Sequence, residues 1–265
     1  MPFLATSALV LQLTLIIVAL LLTAVYALRV RSGRLPRFRP LPGIDRLRAL
    51  FSEESESGRS LHVATGTSRF SATGTTAETI ASLLIAQRVA EATARHGGNV
   101  AATSGEIVAH AALRGTIHSA YRQSGFGADY QPSRIQLVAQ QTPVAYAAGV
   151  AARYAAEPMA ASVVAGNYDA EALLIGEEGR RRDIPQLAAT TSLAALPVLA
   201  ISADTTLIGE ELFAAEAYLS DAPAPKARLL AQDALRWTVL ALLLGGLIWQ
   251  LLAVLQPSLG LPLLA

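Results

Sequence analysis

The chain has 265 residues, a net charge of +1, 52% hydrophobic residues, no cysteine and one lysine, Lys226. The lack of cysteine excludes disulfides, thiolate metal sites, iron–sulfur clusters and thiol nucleophiles. The lack of lysine before residue 226 excludes a P-loop lysine and a Schiff-base lysine from the body of the chain. A net charge this close to zero argues against nucleic acid as a partner.

Apolar segments without charge occupy both ends of the chain. Residues 1–28 and 237–265 contain no Asp, Glu, Lys or Arg. A helix needs roughly 20 apolar residues to cross the hydrocarbon core of a bilayer. We therefore predict transmembrane helices over residues 8–28 and 237–255.

Basic residues flank these segments only on the side that faces the middle of the chain. The flanking residues are Arg29, Arg31, Arg34, Arg37 and Arg39 after the first segment and Lys226, Arg228 and Arg236 before the second. A cleaved signal peptide, the alternative for the first segment, normally has basic residues ahead of a shorter apolar run. By the positive-inside rule we predict a two-pass protein of the bacterial inner membrane, with both termini outside and the central domain in the cytoplasm. The arginines from Arg29 to Arg39 are expected to contact anionic lipids.

The segments next to the membrane helices are predicted to be linkers. Residues 29–60 are first rich in Arg and Pro and then in Ser and Glu, with a short helix predicted over 44–51, either on the membrane surface or docked on the domain. The stretch 52–60 is predicted to be flexible, and residues 221–236 form the second linker.

Residues 61–220 alternate between short β-prone runs and longer helical patterns. The predicted strands are 61–64, 99–103, 134–139, 161–165 and 197–202, and the predicted helices are 76–95, 105–123, 143–156, 170–181 and 206–219. Strands separated by helices form βαβ units. We predict an α/β domain of three layers with a mostly parallel sheet, flanked by the two terminal transmembrane helices.

The turn after the first predicted strand is one candidate site. Thr65, Gly66, Thr67 and Ser68 combine glycine with hydroxyl groups where a helix would begin, and this pattern can hold a phosphate or carboxylate. No complete dinucleotide or P-loop motif is present, so a structural turn is the alternative. Thr75 and Glu78 fit a capping box for the first long helix.

Carboxylates form the second candidate site. Asp169 and Asp204 follow predicted strands, so we expect them at the same sheet edge, and Glu211 lies beside the apolar stripe of the last predicted helix. Helix caps and a structural ion pair are one interpretation. Acid–base chemistry, with Mg²⁺ as a cofactor, is the other.

No metal site is predicted from the histidines. His110 and His118 lie on one face of a predicted helix, but Arg114 stands between them. A cation between two ligands opposes metal binding.

Three segments resemble an uncharacterised family of bacterial membrane proteins: 145–149 (AYAAG), 166–174 (GNYDAEALL) and 207–213 (LIGEELF). The Gly-Glu-Glu-Leu segment is the most specific part. The resemblance extends over nearly the whole chain and implies an α/β domain between terminal membrane helices, without an assigned activity. It gives Asp169, Glu171, Asp204, Glu210 and Glu211 more weight than helix caps alone would have.

Two functions follow from these observations. The favoured one is a module that is not an enzyme, without a cofactor, which binds a protein partner, forms a homo-oligomer or takes a small ligand at the membrane. The alternative is a membrane-surface enzyme that acts through Asp169, Asp204 and Glu211 on a phosphorylated or glycosidic substrate. The geometry of these three carboxylates discriminates between the two.

Overall fold

The computed structural model describes the backbone of residues 2–32, 38–67, 70, 75–140, 142–220 and 222–259. The side chains of these residues are described except for 2–11, 50–57 and 253–259. The chain divides into two compact units, one formed by residues 1–37 with 221–265 and the other by residues 38–220. Each unit is considered by itself.

The helices and strands are as follows in chain order: α1 (Pro2–Arg31), α2 (Pro42–Ser57), β1 (Ser60–Ala64), α3 (Thr76–Arg95), β2 (Val100–Ser104), α4 (Ile107–Gln123), two 3₁₀ turns (Gly127–Asp129 and Pro132–Arg134), β3 (Ile135–Leu137), α5 (Pro143–Ala156), β4 (Met159–Ala165), α6 (Ala172–Arg181), β5 (Gln186–Thr190), α7 (Leu196–Ser202), β6 (Thr205–Ile208), α8 (Glu210–Leu219) and α9 (Pro223–Leu259).

The terminal unit consists of α1 packed against α9. Within them, Gln12–Arg31 and Pro223–Leu252 are long and apolar enough to span a membrane. Ala19, Thr23 and Ala27 lie on the half-buried face of α1. Gly245 of α9 is exposed, with open space where a Cβ would stand, so it does not lie at a close contact between helices of the kind that small residues allow in membranes.

The six described strands form one parallel sheet in the order β3-β2-β1-β4-β5-β6. Leu61 of β1 lies opposite Val100 of β2 on one side and Ala161 of β4 on the other. This is the strand order of the Rossmann-type doubly wound sheet. The predicted α/β class, the three layers and the parallel sheet are confirmed.

Helices cover both faces of the sheet. Helices α2, α3, α4 and α8 enclose one core with the side chains of Leu61 and Val63, and α5, α6 and α7 enclose a second core with Ala64. Successive strand residues point to opposite faces, so His62 faces the second core between Leu61 and Val63. Many core residues are alanines, which lets helices lie close to the sheet.

The last two strands differ from the prediction. Residues 197–202, predicted as a strand, belong to α7, where Pro197 takes the first turn of the helix. Strand β5 was not predicted, and β6 falls inside the helix predicted for 206–219. Gly209, at φ +60°, separates β6 from α8.

Helix α2 also departs from the prediction. It extends to Ser57, through most of the stretch predicted to be flexible.

The five residues LIGEE occur twice in the sequence, at 174–178 and at 207–211. The first copy lies inside α6, and the second crosses from β6 into α8. The two copies therefore do not form a duplicated structural unit.

Candidate functional site

The centre of the carboxyl edge lies between β1 and β4. The chain leaves β1 towards α3 on one face of the sheet and leaves β4 towards α6 on the other. In open parallel sheets, the divergence of two such loops opens a crevice in which ligands bind. The loops at this point are residues 65–75 and 166–171, of which 68, 69 and 71–74 are outside the described part.

Glycines bring the two loops into close backbone contact. A Cβ on Gly66, at φ +76°, would lie 3.0 Å from the carbonyl oxygen of Asn167, and a Cβ on Gly166, at φ +144°, would lie 2.8 Å from that of Thr65. The Gly66 carbonyl oxygen accepts a hydrogen bond of 2.8 Å from the amide of Gly105, after β2. The floor of the crevice is therefore backbone from three adjacent strand ends.

Two buried tyrosines of the second core form hydrogen bonds with the backbone at this floor. The Tyr146 hydroxyl accepts a hydrogen bond from the Gly66 amide and donates to the Thr103 carbonyl, both at 3.2 Å. The Tyr168 hydroxyl donates to the Ala64 carbonyl at 2.9 Å. Burial raises the pKa of both phenols, so both are neutral donors at physiological pH.

A chain of buried polar side chains runs from this floor through the second core. The Thr103 hydroxyl lies 3.1 Å from the Tyr146 hydroxyl and 3.2 Å from His62 Nε2. His62 Nδ1 lies 3.2 Å from the Ser162 hydroxyl and 3.3 Å from that of Tyr154. His62 and Ser162 are direct partners in the β1–β4 ladder, which explains why they meet.

Burial, followed by the nearby positive charge of Arg153, lowers the pKa of His62 to about 3. The imidazole is therefore neutral at physiological pH. His62 was not among the candidate residues predicted from the sequence, although a polar side chain in the middle of an apolar strand was a visible signal. Its partners come from α5, β2 and β4 and could not be identified without the sheet order.

Glu78 is the buried acidic group of the crevice. It lies in the first turn of α3 with 7% of its surface exposed, and its Oε2 has no hydrogen-bond partner among the described residues. Burial raises the pKa of its carboxyl, and a hydrogen bond from Asn167 opposes this. The Thr75 side chain makes no capping bond, so the predicted capping box is not formed. A carboxyl at this helix N-terminus disfavours a phosphate there.

Thr65, Gly66, Thr67 and Ser68 were the candidate anion site. The structure places Thr65 and Gly66 in the buried floor, where the Thr65 hydroxyl donates to the Thr103 carbonyl at 3.1 Å. Thr67 is half-buried beside Gly105, at the same strand ends. Ser68 lies outside the described residues.

The three candidate carboxylates do not come together. Asp169 follows β4 at the carboxyl edge and is exposed. Asp204 precedes β6 at the opposite, amino edge, where its Oδ2 accepts a hydrogen bond of 2.7 Å from the Gln186 amide. The expectation that both lie at one edge is wrong because residues 197–202 form a helix.

Glu211 lies at the start of α8, at the carboxyl edge. Its Oε1 is 3.1 Å from Arg39 Nη2, and its Oε2 accepts a hydrogen bond of 3.2 Å from the Ile208 amide. Both oxygens are therefore engaged, one in an ion pair and one at the helix start. One acidic residue that was not a candidate, Glu106, does act as a helix cap. It precedes α4, and its side chain accepts a hydrogen bond of 2.7 Å from the Ala109 amide.

The histidines of α4 make no metal site among the described residues. Burial, with the positive charge of Arg114, lowers the pKa of His110. The His118 ring packs on Tyr130, with centroids 4.8 Å apart. No group of three or more potential metal-ligating side chains occurs in the described ranges.

Exposed apolar side chains surround the crevice at the carboxyl edge. Nearly all of the exposed large apolar residues described in 38–220 are among the first five residues of helices, at strand ends or in the loop after β5; Phe126 and Ile201 are the exceptions. We call this set the carboxyl-edge rim: Ile80, Ile107, Val108, Leu137, Val144, Leu173, Leu174, Leu193, Ile208 and Phe213. Apolar surface concentrated in this way is typical of a docking surface.

Charge is distributed unevenly between the two edges of the sheet. The described acidic residues at the carboxyl edge include Asp169, Glu171, Glu210 and Glu211, and the one arginine described there, Arg39, is paired with Glu211. The amino edge has the arginines at helix ends and before strands: Arg59, Arg95, Arg122, Arg134, Arg153, Arg180, Arg181 and Arg182. This distribution complements the helix dipoles. The dipoles do not explain the apolar rim.

Residues 3–258 match the model of the DUF6754 family, described as a domain of unknown function. The match covers nearly the whole chain, so the chain belongs to this family. No curated protein and no solved structure is significantly similar to it.

Proposed function

We propose that this DUF6754 protein is a membrane-anchored binding and assembly module, without catalytic activity, that docks a partner protein through the carboxyl-edge rim. The observation that carries the proposal is the concentration of exposed apolar side chains at one edge of the sheet. A solvated domain has no energetic reason to gather them there, because each apolar square ångström exposed to water costs about 25 cal/mol.

The positions of the candidate carboxylates favour binding over catalysis. Asp169 and Asp204 lie at opposite edges, and both oxygens of Glu211 are engaged. Glu78, buried at the N-terminus of α3, disfavours the phosphate of a phosphorylated substrate. Among the residues that the structure describes, the three carboxylates proposed for the alternative enzyme therefore do not form one site.

Charge indicates the chemistry of the partner. The exposed acids Asp169 and Glu210 lie among the rim residues, and no described cation there is uncommitted. A complementary partner presents an apolar segment with arginine or lysine beside it. Apolar contact then supplies affinity, and charge supplies orientation and association rate.

Photo-crosslinking in intact membranes tests the docking surface. A photoreactive amino acid replaces Val144 or Leu173 in the rim, and Ile201 at the amino edge serves as the control. Ile201 is 67% exposed and Leu173 44%, so accessibility alone favours the control. We expect an adduct of one defined mass from the two rim positions and none from Ile201.

Charge reversal tests the chemistry of the partner. The double variant Asp169→Arg, Glu171→Arg should reduce the adduct at Leu173 at least several-fold. Asp45→Arg, which changes an exposed acid on α2, should leave it unchanged. Equal adducts from Ile201 and the rim would contradict the docking surface, and an adduct between two copies of this chain would contradict the cationic partner.

The proposed anchoring is a two-pass arrangement in the bacterial inner membrane. Both termini lie outside, residues 38–220 face the cytoplasm, and the arginines of 29–39 contact anionic lipids. The apolar windows of α1 and α9 are 6% and 0% buried, which favours lipid over a protein core as their surroundings. Reporter fusions test this: both termini should give extracytoplasmic signals, and a cytoplasmic signal from either end would contradict the topology.

A further inference from the structure

A second cavity lies at the amino edge of the sheet, on the side opposite the rim. Its volume is about 610 Å³, and it is lined by residues of α2, the end of α6, the end of α7 and the starts of β5 and β6. This volume is within the range of small-molecule sites. Its apolar wall includes Leu47, Ile184 and Leu187.

Opposite charges line this cavity without pairing with each other. Arg46 and Arg180 contribute guanidinium groups, and Asp183 and Asp204 contribute carboxylates. No ion pair joins either arginine to either aspartate among these described side chains. Opposite charges that share a cavity but remain apart leave room for a group between them.

The four side chains differ in how far they are already engaged. Arg180 Nη2 donates to the Ile201 carbonyl, and Asp204 Oδ2 accepts from the Gln186 amide. Arg46 and Asp183 form no side-chain hydrogen bond with the described residues. These two are therefore the principal groups that a ligand would engage.

The backbone at Asp183 supports a role for its carboxylate. Asp183 has φ +54° directly after α6, and the Ile184 amide donates to the Gly179 carbonyl at 2.9 Å. Helices commonly end with glycine in this left-handed conformation, because glycine has no Cβ. A charged residue occupies this place instead, with its backbone fixed at the mouth of the cavity.

We propose that this cavity binds a small zwitterion with an apolar body, of the type formed by amino acids and short peptides. The carboxylate of the ligand binds Arg46 and Arg180, and its ammonium group binds Asp183. Its apolar part lies on Pro42 and Pro185, the cavity prolines that are not fully buried. Guanidinium groups match a carboxylate through paired N–H donors. The site lies at the amino edge, so this proposal does not depend on the docking function proposed for the carboxyl-edge rim.

Calorimetric titration of the full chain in detergent tests the site, with leucyl-leucine as the probe. Its N-acetyl derivative has lost the ammonium charge, and its C-terminal amide has lost the carboxylate charge. We expect saturable binding of leucyl-leucine and binding about tenfold weaker or worse for each derivative, since each loses one charge-assisted contact.

Two variants assign the contacts. Arg46→Gln should lower the affinity for leucyl-leucine about tenfold and largely abolish the preference for leucyl-leucine over its C-terminal amide. Asp183→Asn should lower the same affinity about tenfold and largely abolish the preference for leucyl-leucine over its N-acetyl form. Asparagine tolerates the left-handed conformation, so the second change keeps the backbone. Arg95→Gln removes an exposed arginine outside the cavity and should have no effect. Equal binding of all three peptides, no binding of leucyl-leucine, or unchanged affinity in both variants would overturn the proposal.

Discussion

The buried imidazole of His62 makes the stability of the domain sensitive to acid. Its pKa is about 3 in the folded chain against a usual 6.5, because burial and the charge of Arg153 disfavour the imidazolium. Above pH 6.5 both the folded and unfolded chains hold a neutral ring. Below it the unfolded chain takes up a proton that the folded chain does not, so stability falls as the pH is lowered towards 3.

The size of this loss follows from the pKa difference. At pH 4.5 the ring in the unfolded chain lies about two pH units below its pKa and is protonated, while the folded chain keeps it neutral. This protonation favours the unfolded chain by about 3 kcal/mol. His62→Gln removes the titrating group. It should cost about 1–3 kcal/mol at pH 7 through lost packing and hydrogen bonds. It should also remove the part of the loss between pH 7 and 4.5 that the His62 ring causes, while the lowered pKa of His110 leaves a further loss of the same sign.

Urea unfolding of the full chain in detergent, followed by circular dichroism, measures both effects. The control is His96→Gln, which removes an exposed histidine at the end of α3 and should keep the wild-type acid dependence. If His62→Gln retained that dependence as well, the buried neutral imidazole would not be its source, and the reasoning would be refuted.

Three further substitutions test other contacts with the same assay. Burial raises the pKa of the Glu78 carboxyl, so the wild type loses stability as the pH rises through that pKa. Glu78→Gln removes this ionisation and should therefore raise the free energy of unfolding at pH 7 by about 1 kcal/mol. Gly166→Ala should lower stability by about 3 kcal/mol, because its Cβ would meet the Thr65 carbonyl. Arg88→Met should lower it by about 3 kcal/mol, because the buried Glu91 and Glu216, at 2.8 and 3.1 Å, would lose their counter-ion.

Each of these substitutions has a control or an opposing outcome. A destabilised Glu78→Gln variant would contradict the cost assigned to the buried Glu78 Oε2, which has no described partner. Gly97→Ala, at φ +75° with no atom within 4 Å of the new Cβ, should lower stability by only about 1 kcal/mol. An equal loss in Gly166→Ala would show that contact with the Thr65 carbonyl is not the cause of the loss there. Adding Glu216→Gln to Arg88→Met should recover part of the loss, and failure to do so would contradict charge as its cause.

Most of the helices and the first four strands could be predicted because each has its own local signal. Helix α3 has the predicted bounds, with an apolar face at helical spacing and Gly97 directly beyond it. Short apolar runs lack such a signal, since four to seven residues fit a strand or a buried helix equally well. Residues 197–202 were therefore predicted as a strand although they form a helix, and most of β6 was predicted as part of the helix that follows it.

The site was less predictable because it depends on strand order. Glycines at strand ends pointed to the turn after β1, but only the order of the sheet brings Gly66 against Asn167. The burial of Glu78 and the meeting of His62 with Ser162 likewise require the register of β4 beside β1. The rim could not be read from the sequence either, because an apolar residue in a first helical turn has the same identity whether it is buried or exposed.

The sheet also limits how copies of this protein can polymerise. Its outer strands are short, three residues in β3 and four in β6, and a strand added to either would gain few backbone hydrogen bonds. Long flat edges are the templates on which β-rich aggregates grow. The edges of the native sheet therefore offer little template for amyloid-like growth, even where many copies are crowded together.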